Sequence, residues 1–357
     1  MLSRAWLEVD LAALRRNAAA LGKRAGVPII PMIKADAYGL GAVPVARALD
    51  SLNPLAYGVA TVREGEELRN AGIERTIIIF TPLHEEEMKA ASDADLTPTL
   101  GCVDEIEAWK TYGSPYHLSI DTGMARAGIP WREIASIGAS LKNNPPAGAF
   151  THFHSAERDA ASMAQQTERF RGALELLPTR PGILHTESSA AIVRSDRSPW
   201  NAVRPGIFMY GVGSGADAGI QPEHVVTLNA RIVEMRWIEP GDTVSYDATF
   251  TATSRSLIAT VPLGYADGYP RGASNAGRAI LRERSIPIVG RVTMDMIMLD
   301  VTGTGAEVGD VVTLIGEGTA LGAPVDVASV AALAGLSPYE LLTGLRSRIE
   351  RVYRGEA

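Results

Sequence analysis

The sequence predicts an α/β fold: an eight-stranded parallel (β/α)8 barrel of the TIM type followed by a mostly-β C-terminal domain. Three observations carry that expectation. Short β-rich runs alternate with helical stretches from residue 10 to about residue 225, and strand followed by helix, repeated, builds a parallel sheet. Roughly eight such units in roughly 220 residues suit a closed barrel. Beyond about Val225 strands separated by tight turns take over. A chain of 357 residues also exceeds what one hydrophobic core usually supports, so two domains are expected.

The first domain is placed at residues 10–225. Its helix at 10–26 has Asp10 as N-cap and Gly26 as stop. The barrel strands are expected at 28–33, 56–60, 76–80, 96–100, 116–120, 148–153, 183–185 and 207–210, with further helices at 63–72 and 161–177. An open dinucleotide-binding sheet is disfavoured, because no Gly-x-Gly-x-x-Gly follows the first strand. Gly211-Val212-Gly213-Ser214-Gly215 comes late and reads as a loop. The second domain is placed at 226–357, with residues 1–9 packing against it. Strands are expected at 225–237, 243–246, 256–261, 279–281, 286–289, 296–301 and 311–315, and one helix at 325–335. Turns such as Glu239-Pro240-Gly241-Asp242 separate them.

Composition excludes several classes. Apolar residues make up 46% and charged residues 21%, ordinary for a globular protein. The net charge of −7, with no basic cluster, argues against a nucleic-acid surface. Cys102 is the only cysteine, which excludes an intrachain disulfide and fits a reducing compartment. Acidic residues stand where a signal peptide needs an apolar core, and no uncharged run is long enough to span a bilayer. The expected location is the cytoplasm, with no membrane and no nucleic acid among the partners.

Catalytic groups on a barrel sit just past the C-terminal ends of strands. Lys34 does so, closing the apolar run Val27 to Ile33 ahead of a glycine-rich turn. An amine at the end of a buried strand is desolvated, which lowers its pKa and makes it a nucleophile towards aldehydes. Tyr38 follows four residues on, one helical turn away. Arg126 follows the turn Asp121-Thr122-Gly123, which lets the chain leave its strand and aim a guanidinium inward. His152 ends an apolar run. Ser188-Ser189 opens a helical stretch, an arrangement suited to an anion or to simple capping. In Arg204-Pro205-Gly206-Ile207 an arginine meets a turn where a bare backbone amide allows a phosphate close.

The order of these segments resembles alanine racemase, over nearly the whole chain. The carriers are Trp6-Leu7-Glu8-Val9-Asp10-Leu11, Lys34-Ala35-Asp36-Ala37-Tyr38-Gly39, Asp121-Thr122-Gly123-Met124-Ala125-Arg126, Thr151-His152-Phe153 and Arg204-Pro205-Gly206-Ile207. In the β domain they are Gly264-Tyr265-Ala266-Asp267-Gly268, Gly290-Arg291-Val292-Thr293-Met294-Asp295 and Tyr339-Glu340. The resemblance implies pyridoxal 5'-phosphate as cofactor and interconversion of L- and D-alanine by two bases, supplying D-alanine for peptidoglycan. It implies Lys34 as the covalent anchor and D-face base. Tyr265 is implied as the L-face base, entering from the other subunit of a homodimer. It further assigns Arg204 to the pyridine nitrogen with His152 as its partner, and Tyr38, Ser189, Gly206, Ile207 and Tyr339 to the phosphate. Arg126 and the Met294 amide are assigned to the substrate carboxylate, and Asp295 to orienting neighbouring groups. An arginine keeps its proton and leaves the pyridine nitrogen unprotonated, which disfavours long-lived carbanions.

Departures from the family pattern are also legible. Many relatives carry a carbamate-bearing lysine where this chain has Ser119, so Arg126 needs another support. Asp247 stands where the family usually has glycine, in Ser245-Tyr246-Asp247-Ala248-Thr249. His154, in a polar run after His152, reads as a solvated loop residue rather than a metal ligand, since no spaced second ligand is evident. The alternatives are a racemase for serine or a broader range of amino acids, a decarboxylase, and a non-catalytic cofactor carrier. Arg204 opposes the decarboxylase, and the presence of a β domain opposes the carrier.

Overall fold

The computed structural model describes residues 3–215, 218–317 and 325–355. Strand β1 (Ala5–Asp10) runs into helix α1 (Leu11–Ala25), and Asp10 makes the junction: its carboxylate accepts from the Ala13 N–H at 2.8 Å. The helix stops at Gly26, which takes φ 69° and returns its N–H to Gly22 at 2.9 Å. Leu11, Leu14, Ala18 and Leu21 form its buried face.

Parallel strands β2 (Tyr57–Val59), β3 (Ile77–Ile79), β4 (Thr97–Leu100), β5 (His117–Asp121), β6 (Gly148–Phe150), β7 (Ile183–Ser188) and β8 (Ala202–Arg204) pair in chain order. The segment 29–32 closes the ring, bridging Ile29 to Val203 on one side and Met32 to Gly58 on the other. Eight parallel neighbours therefore surround one interior. The strands are short and almost wholly buried, as expected where helices cover the outer face. One expected strand is displaced. Residues 207–210 form a buried 3-10 turn, Ile207–Tyr210, and the eighth strand is β8 just before it. Pro205-Gly206 ends the strand, and an apolar run alone cannot distinguish a strand from a buried turn.

In the C-terminal part, β9 (Val226–Arg231), β10 (Glu234–Ile238), β11 (Ser256–Val261), β12 (Arg278–Leu281), β13 (Arg284–Pro287), β14 (Ile297–Asp300), β15 (Val311–Ile315) and β16 (Glu350–Arg354) form two main sheets. One has the order β13-β12-β15-β9-β1-β16, the other β10-β11-β14. The N-terminal strand β1 thus lies inside the sheet of the second domain, antiparallel to β9 and parallel to β16. The expected helix is Val327–Leu333, capped by Asp326 through the Ser329 N–H at 3.0 Å. No described helix is long and apolar enough to cross a membrane.

Candidate active site

A cavity of about 830 Å³ opens at the C-terminal ends of the barrel strands. Lys34, Tyr38, Arg126, His152 and Ser189 line it, together with Arg204, Gly206, Ile207 and Tyr339. These residues are far apart in the chain; the barrel ones come together because each lies at or after the end of a strand, and Tyr339 is brought in by the helix Pro338–Gly344 of the C-terminal part.

Lys34 is largely buried. Burial lowers the pKa of its amine, Arg126 and Arg204 lower it further, and Glu64 opposes them. The backbone after Lys34 is unusual. Ala35, Asp36, Ala37 and Tyr38 all take φ between 52° and 58°, a left-handed turn, and Gly39 follows at φ 83°. The helical turn expected between Lys34 and Tyr38 is present, but it is left-handed. For non-glycine residues the left-handed form costs about 1–2 kcal/mol each, so the surroundings must hold it. At its far end Arg351 donates to the Gly39 carbonyl from Nε and Nη2 at 3.2 and 3.0 Å, and the Tyr353 hydroxyl donates to Leu40 O at 3.0 Å. Strand β16 of the second domain thus fixes the turn of the barrel that carries Lys34. Tyr38 is buried against Tyr210, with ring centroids 4.6 Å apart, and Tyr339 lies 6.1 Å away. Burial raises the Tyr38 phenol well above its usual range and pushes Tyr339 up to about 12, so both are neutral hydrogen-bonding groups.

Arg204 is buried at the floor. Nη1 donates to His185 O at 2.6 Å and to His185 Nδ1 at 2.7 Å. Nη2 donates to Thr151 O at 2.9 Å, to Thr186 O at 3.1 Å and to His152 Nδ1 at 3.3 Å. His185 Nε2 in turn lies 2.8 Å from His117 Nδ1. Burial, then the guanidinium charge, lowers all three histidines: His117 to about 4, His152 to about 3, and His185 well below its ordinary value. The histidines are therefore neutral at neutral pH. Burial pushes Arg204 down to about 9, with Glu187 opposing, so it keeps its proton at neutral pH. A neutral His185 that accepts at Nδ1 carries its hydrogen on Nε2 and donates to His117. His117 and His185 were not singled out from the sequence. Each lies within an apolar barrel strand, and pairing across two strands is not visible in a linear pattern.

The other end of the cavity is shaped by small groups. The Ser189 hydroxyl accepts the Gly206 N–H at 2.8 Å, which ties the turn after β8 to the helix Ser189–Arg194. A Cβ at Gly206 would stand 2.7 Å from the Tyr38 hydroxyl, so glycine leaves the space open. Arg126 is presented by a self-capped loop in which Asp121 accepts from Gly123 N at 2.8 Å and Ala125 N at 3.1 Å. Among the described residues its guanidinium has no hydrogen-bond or ion-pair partner, and Ser119 lines the same cavity. His154 also lines the mouth, its Nδ1 lying 2.7 Å from the Ser155 hydroxyl. Asp247 takes φ 61°, which accounts for the usual glycine there, and its carboxylate accepts from Arg291 at 2.8 Å.

Tyr265, Met294 and Asp295 stand outside this cavity. They form a separate, rigid assembly in the second domain. Tyr265 N donates to Thr293 O and Ala266 N to Met294 O, both at 3.0 Å, and Asp267 caps the Gly264 N–H at 2.8 Å. Arg348 reaches Asp267 at 3.2 Å and Asp295 at 2.9 Å. Tyr265 is 38% and Met294 52% exposed, large apolar surface left open on a stiff support.

The residues in the cavity fit pyridoxal phosphate: a desolvated amine at one wall, a buried cation at the floor, and a cradle at Gly206 that a Cβ would fill. Fold and site together define the class of barrel enzymes with a β domain in which a lysine at a strand end holds this cofactor. The chain belongs to the alanine racemase family. Residues 9–214 match the alanine racemase N-terminal domain and residues 225–353 the C-terminal domain. It is 39% identical to the alanine racemase of Geobacter sp. (strain M21), over 98% of both chains, and 35% identical to that of Deinococcus radiodurans, over 98% of this chain and 99% of that one. Among solved structures it resembles alanine racemase from Bartonella henselae with covalently bound pyridoxal phosphate, with a TM-score of 0.91, 27% identity, and coverage of 99% and 100%. It equally resembles the Bacillus anthracis enzyme with bound L-Ala-P, with a TM-score of 0.91, 29% identity, and coverage of 100% and 97%.

Proposed function

We propose that this chain is an alanine racemase that interconverts L- and D-alanine with pyridoxal phosphate, from two bases on opposite faces of the substrate. The observation that carries the reading is the split between one buried amine in the cavity, Lys34, and one stiffly held phenol outside it, Tyr265. Racemisation needs a base on each face, since a single base tends to return the proton to the side it came from. A second copy of the chain that brought Tyr265 and Met294 to the cavity mouth would complete the pair and cover their exposed surface. This makes the working unit a homodimer with shared sites. Its place is the cytoplasm, where D-alanine feeds peptidoglycan synthesis.

The roles are those the family resemblance implies, and the grouping of these residues around one cavity supports them. Arg204 would face the pyridine nitrogen, and Tyr38, Ser189, Tyr339 and the amides of Gly206 and Ile207 would hold the phosphate. When bound, the cofactor supplies the electron sink for charge developing on the substrate α-carbon. Lys34 would anchor it and would hold or move the proton on the D-face of the substrate. Tyr265 of the partner subunit does so on the L-face. Arg126 binds the substrate carboxylate, aided by the Met294 amide, with Asp295 and Arg348 steadying that segment. We divide the chain at residues 225 and 226, with residues 1–9 assigned to the second domain. The test is incubation with L-alanine in heavy water: α-deuterium uptake with loss of optical rotation is expected, and no exchange rejects the reading.

A further inference from the structure

Glu64 lies in the first turn of the helix Val62–Asn70, where Thr61 is the N-cap and accepts the Glu64 N–H at 3.2 Å. At that position a carboxylate ordinarily turns back to the N-cap's own amide. Here it does not. Oε2 accepts the N–H of Ala60 at 2.6 Å, and Oε1 accepts the N–H of Ala35 at 2.8 Å. Ala60 immediately follows β2, and Ala35 immediately follows Lys34 at the end of the first barrel strand. One carboxylate therefore joins the outgoing ends of two neighbouring strands, one oxygen to each.

The join falls at the near end of the left-handed turn. A chain that enters that conformation at Ala35 has lost the usual partner for its first amide, and the first internal bond comes only at Ala37 N to Ile33 O, 2.8 Å. Arg351 and Tyr353 hold the far end. At the near end the Tyr210 hydroxyl donates to Met32 O at 2.8 Å, before Lys34, and Glu64 is the side chain that takes the Ala35 amide just after it.

We infer that Glu64 is a positioning residue for Lys34, setting both the backbone from which the amine projects and the charge it feels. Among the charged neighbours of that amine, Arg126 and Arg204 disfavour its protonation, while Glu64 is the carboxylate that favours it. Glu64 is not in the cavity lining, so it acts through the backbone and charge around Lys34. Its effect on turnover rests on the racemase reading; its effect on the amine does not.

The test begins with cofactor-free protein. Acetylation of Lys34 by acetic anhydride, followed against pH by mass spectrometry, gives the titration midpoint of the amine in the wild type, Glu64→Gln and Glu64→Ala. Loss of the negative charge should lower that midpoint in both variants. Hydrogen exchange of the Ala35 and Ala60 amides should quicken about tenfold in Glu64→Ala. In the loaded enzyme, single-turnover proton removal should slow more from D- than from L-alanine, with KM little changed. An unmoved midpoint in a folded Glu64→Gln overturns the proposal even if the protein racemises alanine. A moved midpoint with no racemisation leaves Glu64 in place and overturns the function instead. Should Glu64→Ala fail to fold, Glu64→Gln carries the measurement, since it keeps the shape and one acceptor.

Discussion

The Arg204 guanidinium stands 2.7 Å from Nδ1 of His185, and His185 stands 2.8 Å from His117, so a buried cation at the cavity floor is held by a chain of neutral imidazoles. Each histidine stays neutral because burial and Arg204 both disfavour a second charge. Replacing His185 by leucine removes an acceptor from Nη1 and leaves part of that charge unpaired. The expected cost is about 1–3 kcal/mol of stability together with weaker pyridoxal phosphate binding. Urea unfolding and cofactor titration measure the two. An unchanged affinity would show that the backbone carbonyls of Thr151, Thr186 and residue 185 suffice to place Arg204.

The same histidines set a pH dependence. His117 has an ordinary value of 6.5 and is lowered to about 4 in the folded protein. Between those values the unfolded chain binds more protons than the folded one, so stability rises with pH there. It is complete above about pH 7 and is lost as pH falls towards 4, by about 3 kcal/mol for a shift of that size. Unfolding midpoints measured from pH 7.5 to 5 should fall steadily. A flat profile would mean that the imidazoles gain protons without cost.

Lys34→Ala should abolish the visible chromophore that borohydride traps in the wild type. A chromophore retained in the variant would place the covalent link on another lysine.

Under the shared-site reading, Tyr265→Phe should slow proton removal from L-alanine far more than from D-alanine in single turnover. Equal slowing would reject opposite-face bases. Mixing inactive Lys34→Ala and Tyr265→Phe proteins should restore part of the activity once subunits exchange, because one site in each mixed dimer then holds both wild-type residues. No recovery after verified exchange would argue for sites built within one chain.

Gly39 joins the left-handed turn to the second domain. It takes φ 83°, and a Cβ there would stand 2.6 Å from the Leu342 carbonyl. Gly39→Ala should destabilise the protein by about 1–3 kcal/mol and displace the turn after Lys34. Thermal unfolding reads the first and Lys34 acetylation the second. Full stability with unaltered labelling would show that the two domains can separate there freely.

Most of the barrel was legible because alternating strands and helices have distinct periods, and the capped helix after Asp10 carried its own start and stop. The eighth strand was misplaced by a few residues because Ile207–Tyr210 is as apolar as a strand yet packs as a turn. Strands β1 and β16 escaped notice for a related reason: each is stabilised by partners hundreds of residues away, and neither has a hairpin turn to announce it.

The residue types at the site, and their order along the chain, were determined by the sequence alone: a lysine closing a strand, an arginine before Pro-Gly, a tyrosine on a β domain. Local chemistry writes those into the chain directly. Only the tertiary structure decided the hand of the turn after Lys34, the chain of imidazoles under Arg204, the clamp from Glu64, and the separation of Tyr265 from the cavity. Each depends on groups meeting across strands or domains, where burial and unpaired amides select an arrangement that no short stretch of sequence prefers by itself.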